Sequence, residues 1–143
     1  MLEPTDIERL EKVIAHTLPP AFLFAGIAGF IALMIGRLNS IIERSRTLNA
    51  IADGDAERGH LRADIPRLVR RAQLVNRAIH LAIGSGLALT LLILVSFASA
   101  FFRLHHAPVA AVLFVLAVVL LGAALLYLAR EVQMALNHFD HHT

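Results

Sequence analysis

LAIGSGLALTLLILVSFASAFF, residues 81–102, contains no charged side chain. At roughly 1.5 Å of rise per residue this run makes about 33 Å of helix, enough to cross the roughly 30 Å hydrocarbon layer of a bilayer. Two further uncharged stretches lie on either side of it, TLPPAFLFAGIAGFIALMIG at 17–36 and APVAAVLFVLAVVLLGAALLYLA at 107–129. The chain's 13 basic and 11 acidic residues all fall outside the three. This segregation predicts an all-α integral membrane protein with transmembrane helices at 17–36, 81–102 and 107–129.

Composition agrees. With 143 residues, 57% hydrophobic content and a mean hydropathy of +0.68, the chain reads as one membrane domain, 1–143, too short for a bundle plus a separate enzymatic domain. The absence of cysteine excludes disulfides, thiolate metal sites and a cysteine nucleophile. Twelve of the basic residues are arginine and one is lysine. Nine arginines fall between Arg37 and Arg77, against five acids, which places that segment in the cytoplasm. The N-terminal arm is acidic on balance (Glu3, Asp6, Glu8 and Glu11 against Arg9 and Lys12), and Arg103 alone marks the connector between the second and third runs. The predicted topology therefore has the N-terminus outside and the C-terminus inside. The acidic, helical pattern before Thr17 is unlike a cleaved signal peptide, so the first run is expected to stay in the mature protein.

Residues 1–16 read as an amphipathic helix on the outer face. Thr5 and Glu8 have capping-box spacing, and Ile7, Leu10, Val13 and Ile14 share a face. Pro19-Pro20 is expected to turn this helix into the first span. Past Gly36 the pattern continues through Leu38, Ile41, Ile42, Leu48 and Ile51 until Asp53-Gly54-Asp55. On the return side, Ile65, Leu68, Ala72, Val75, Ile79, Ala82, Gly86 and Leu89 hold a 3–4 spacing into the second span. Segments 37–52 and 65–77 would project on the order of 20 Å and pack as an antiparallel pair with a polar tip at 53–64. The segment 37–80 is thus predicted to be a cytoplasmic helical hairpin, and 130–143 a cytoplasmic tail whose last residues fray.

Topology brings one end of each helix to the inner boundary, and their polar residues converge there. The candidate cluster is Arg37, Asn39 and Glu43 from helix one, Asn76, Arg77 and His80 from helix two, and Tyr127, Arg130 and Glu131 from helix three. Polar groups near lipid are costly unless paired, so Glu43 and Glu131 should find arginine partners and the asparagines should bond across helices. Arg44, Arg46, Arg70 and Arg71 are expected to face lipid headgroups or a partner. Within the bilayer, Ala21, Ala25, Gly29, Ala32 and Gly36 on helix one, and Ala110, Ala117 and Ala124 on helix three, form small-residue seams for close packing. On helix two, Ser85, Leu89, Leu92, Ser96 and Ser99 share a face with Ala78, Ala82 and Arg103, a stripe that could line a pore.

Other sites are less well supported. Asp53, Asp55, Glu57 and Asp64 mimic a calcium loop, but Arg58 occupies the place of its turn glycine, Gly59 comes one residue late, and the last position lacks glutamate. A solvated hairpin tip is the better reading. His105-His106 and His138, His141 and His142 have only Asp140 as a nearby acid, so no metal site is expected. No nucleophilic triad, metalloprotease pair or nucleotide loop is present, and Gly84-Ser85-Gly86 lies within a span. Neither catalysis nor a cofactor is expected. The arginines are interleaved with acids and lack an aromatic platform, which argues against nucleic acid as a partner.

Pro20-Ala21-Phe22-Leu23 with Gly26-Ile27, Arg37-Leu38 with Glu43-Arg44-Ser45-Arg46, Arg70-Arg71 with Leu74-Val75-Asn76-Arg77-Ala78-Ile79, and Arg130-Glu131-Val132 together resemble a family of short bacterial three-helix membrane proteins defined as a domain of unknown function, number 2721. The similarity spans roughly Val13 to Leu136 and leaves the histidine-rich tail outside. It implies a bacterial cytoplasmic membrane and a three-helix fold, and transfers no activity or catalytic residue. The leading expectation is a small non-enzymatic membrane protein, an oligomeric scaffold or accessory subunit. Its partners would be membrane lipids, further copies of itself, and a membrane or cytoplasmic protein. The alternative is an oligomeric ion or small-solute channel lined by helix two, with Leu89 and Leu92 as its constriction and an arginine-rich cytoplasmic vestibule.

Overall fold

The computed structural model describes residues 3–50, 59–105 and 107–140. Every regular element among them is helical: α1 (Pro4–Asn49), a 3-10 turn (Gly59–Asp64), α2 (Ile65–Phe102) and α3 (Ala107–Asp140). All three α-helices are long and apolar enough to cross a membrane. The middle one in sequence is also central in space. α2 packs along both α1 and α3, whereas α1 and α3 approach each other closely at few points.

Most buried side chains of each helix recur at intervals of seven residues, Ile79 and Ala88 of α2 excepted. On α1 these are Pro20, Ile27, Met34, Ile41 and Leu48. On α2 there are two such lines, Leu68–Val75–Ala82–Leu89 and Ala78–Ser85–Leu92, and on α3 one, Ala117–Ala124–Glu131. A repeat of seven keeps one seam turned toward its neighbour over many turns of slightly supercoiled helix. Late α1 (Ile41, Leu48) joins early α2 (Leu68, Val75) in one cluster, while earlier α1 (Ile27) joins later α2 (Ala88, Leu89) and Ala117 of α3 in another. The α1–α2 pair is therefore antiparallel and packed well beyond the uncharged runs. Ser85 ties α2 to α3, its hydroxyl donating to the Ala117 carbonyl at 2.6 Å.

Several expectations are corrected. α1 runs unbroken through Pro19 and Pro20 instead of turning there. Proline's fixed φ suits a helix, and the two prolines lose the hydrogen bonds to the carbonyls of Ala15 and His16 and crowd those carbonyls with their rings, which weakens the helix without ending it. Thr5 is not the cap: Pro4 opens α1 behind Glu3, whose carbonyl accepts the Asp6 and Ile7 amides at 2.9 and 3.2 Å. α1 closes at Asn49, short of Ala52. The second half of the expected tip is an ordered 3-10 turn, because Leu61 packs onto the α1–α2 cluster. The presumed tail is helical as far as Asp140. Asp53, Asp55, Glu57, Arg58, His106, His141 and His142 lie outside the described residues, and Asp64 is the half-buried residue preceding α2.

The small-residue face of α1 is also relocated. Ala21, Ala25, Gly29, Ala32 and Gly36 are all exposed, and a Cβ added at Gly29 or Gly36 would meet nothing within 4 Å. Bulky Ile27 and Met34 make the contact with α2 instead. α2 and α3 carry the small residues at buried seams: Ala78, Ala82 and Ser85 on α2, and Ala117 and Ala124 on α3, are completely covered.

Candidate functional site

The buried line of α3 ends in a charge. Two alanines, Ala117 and Ala124, are followed seven residues later by Glu131, whose side chain is fully buried. The line Ala78–Ser85–Leu92 of α2, carried seven residues back, lands on Arg71. Just beyond the last residue of the first uncharged run, α1 contributes Arg37. These three side chains meet. Arg71 donates from Nε and Nη2 to Glu131 Oε1 at 2.9 and 2.8 Å. Arg37 donates from Nε and Nη2 to Oε2 at 3.0 and 2.5 Å.

Each carboxylate oxygen thus holds two guanidinium N–H groups, and the acceptor capacity of Glu131 is filled. A buried carboxylate is expensive unless it is paired and hydrogen-bonded, and here it is both. The two guanidinium side chains remain 33% and 22% exposed, so their surplus positive charge reaches the surface while the negative charge does not. Glu131 consequently ties α1 and α3, which otherwise barely touch, through one carboxylate. With every lone pair engaged, it has none to offer a substrate proton. Its chemistry is that of a clasp.

The remaining candidates separate around this clasp. Tyr127 is half-buried against the α1–α2 cluster. Asn39, Glu43, Asn76, Arg77, His80 and Arg130 are exposed. Among the described residues, the expected ion pair of Glu43 and the cross-helix asparagine bonds do not form. Glu43 only lends its backbone carbonyl to Thr47 (3.0 Å), and that of Asn76 accepts the Nδ1–H of His80 (2.7 Å). The reason is angular: on each helix these residues sit off the buried line, where no neighbouring helix reaches them.

Among the basic residues expected to face outward, Arg44, Arg46 and Arg70 are exposed, but Arg71 belongs to the clasp. Ser85, Leu89 and Leu92 are buried within the single chain, so they cannot line an axis shared between copies. Ser96 is exposed and donates to the Leu92 carbonyl at 2.8 Å, and Ser99 is half-buried with its hydroxyl unpaired among the described residues. His105 is exposed at the opposite end, beside Arg103, which closes α2 with φ 54°.

The clasp residue that sequence reasoning misplaced is Arg71. Arg70 and Arg71 are adjacent and chemically identical, and only the seven-residue register through Ala78 and Ser85 separates the inward one from the outward one. The same register through Ala117 and Ala124 points to Glu131.

The chain belongs to the family described as "Protein of unknown function (DUF2721)", whose pattern matches residues 17–141. The match takes in Arg37, Arg71 and Glu131, and extends past Leu136 into the histidine-bearing end of α3. No curated protein and no solved structure matches the chain.

Proposed function

We propose that this DUF2721 protein is a non-enzymatic scaffold or accessory subunit of the bacterial inner membrane. It crosses the bilayer three times, with the α1–α2 overhang and the end of α3 in the cytoplasm. The observation that carries this reading is an inversion of polarity. Phe22, Leu33, Leu87, Leu94, Val112 and Leu126 are exposed around the helices, while a glutamate is among the most completely buried side chains. A water-soluble bundle would reverse this, since large apolar patches seek cover and carboxylates seek water. Lipid as surrounding solvent accounts for both.

Orientation follows from the arginines: the overhang carries Arg44, Arg46 and Arg70 on its exposed surface, and such residues are retained on the cytoplasmic side. They would face anionic lipid headgroups. The open small-residue face of α1 gives a second copy a surface for close backbone approach, which supports a homo-oligomer. The clasp then serves as the rigid base from which the overhang projects.

Native mass spectrometry of the protein released from nanodiscs should find more than one copy, and planar bilayers containing it should stay electrically silent. A single copy, or a steady conductance, would contradict the scaffold reading.

A further inference from the structure

We infer that the cleft between α1 and α2 beside the clasp is a binding site for a phosphate group. It encloses about 270 Å³ and is lined by Arg37, Ser40, Ile41, Arg44, Leu68 and Arg71. Three arginines thus border one small space. Among the described residues the sole carboxylate bonded to any of them is Glu131, which leaves a surplus of two positive charges.

The directions of the hydrogen bonds make the surplus usable. A guanidinium has five N–H groups in a planar fork, and Arg37 and Arg71 each commit only the Nε–Nη2 edge to Glu131. Their Nη1 groups have no acceptor among the described residues. Arg44 has no partner there either, and the hydroxyl of Ser40 adds a neutral donor. A tetrahedral oxyanion supplies several acceptors at once to these donors, in charge-assisted hydrogen bonds. Glu131 holds two of the three forks in place beforehand, so an incoming anion orders little. Glu43 and Asp64, the nearest other acids along α1 and α2, do not line the cleft.

Position narrows the chemistry to phosphate. Arg37 directly follows the uncharged run 17–36, and Arg44 stands two helical turns, about 10 Å, further out. The headgroup layer on each side of a bilayer is roughly 5–7 Å thick. If the helices span as proposed above, the cleft opens at the level of phospholipid phosphates, and the same donors would accept the phosphate of a soluble ester. This last step rests on the membrane reading. The donor geometry does not.

The test is calorimetric titration of the protein in non-ionic micelles with dihexanoyl phosphatidylglycerol, dihexanoyl phosphatidylcholine and glycerol 3-phosphate. Saturable binding of phosphatidylglycerol in preference to phosphatidylcholine is expected. Arg44→Gln, which leaves the clasp intact, should weaken it about tenfold, the low end for a charge-assisted hydrogen bond. Arg9→Gln, exposed near the far end of α1, should leave it unchanged. Competition by glycerol 3-phosphate would support the site and mark soluble esters as ligands, while phosphatidylglycerol binding without that competition would support it and mark a lipid. Absence of saturable binding to either, or equal losses in the two variants, would overturn the site. Micelles carry no sidedness, so failure here is separable from failure of the proposed orientation, which labelling in intact membranes reads.

Discussion

Glu131 is where the physical argument is sharpest. Removing one partner of a buried ion pair typically costs about 3–5 kcal/mol, because the other charges stay behind uncompensated. Glu131→Gln replaces an acceptor oxygen with an NH₂ that points at a guanidinium, so the variant should melt well below the parent in detergent. Glu43→Gln removes an exposed carboxylate with no ion partner among the described residues and should melt with the parent. Arg71→Ala should resemble the Glu131 variant and Arg70→Ala should not, although the two arginines are neighbours. Thermal unfolding followed by circular dichroism separates the four. Equal melting of the Arg70 and Arg71 variants would remove the clasp from the account.

At the scale of elements, much was legible in the sequence because an uncharged run as long as a bilayer is thick obeys a simple rule. Three runs without a charge had to be helices, and a polar residue at the end of each had to meet the others. The convergence of Arg37 and Glu131 follows from that rule. What the rule does not contain is rotation about each helix axis. Small residues on α1 looked like a seam, yet Ile27 and Met34 make the contact and the small face stays open. Pro19-Pro20 looked like a corner, yet two missing hydrogen bonds do not outweigh the helical turns on both sides. Rotation was available only from the repeat of seven, most clearly on α3, where the alanine line continues to Glu131.

The seams differ in what they tolerate. Ala124→Leu should split α2 from α3, since Ala124 is fully buried and overpacking a close helix contact commonly costs about 1–3 kcal/mol. Gly29→Ala should fold as well as the parent, because its added Cβ meets nothing within 4 Å. Melting temperatures in detergent check both. A destabilised Gly29→Ala monomer would mean that α1 is rotated from the position described here.

For the whole molecule, the consequence is a bundle turned inside out: charge clasped at the centre of one end, apolar side chains facing outward along its length, and arginines crowding one pole. The most direct measurement uses the natural absence of cysteine. Thr47→Cys, on the overhang, and Leu104→Cys, on the short connector, are each treated with a membrane-impermeant maleimide in intact spheroplasts and in inverted vesicles. The account predicts labelling of Leu104→Cys only in spheroplasts and of Thr47→Cys only in inverted vesicles. Labelling of both from the same side, or of Thr47→Cys in spheroplasts, would contradict it.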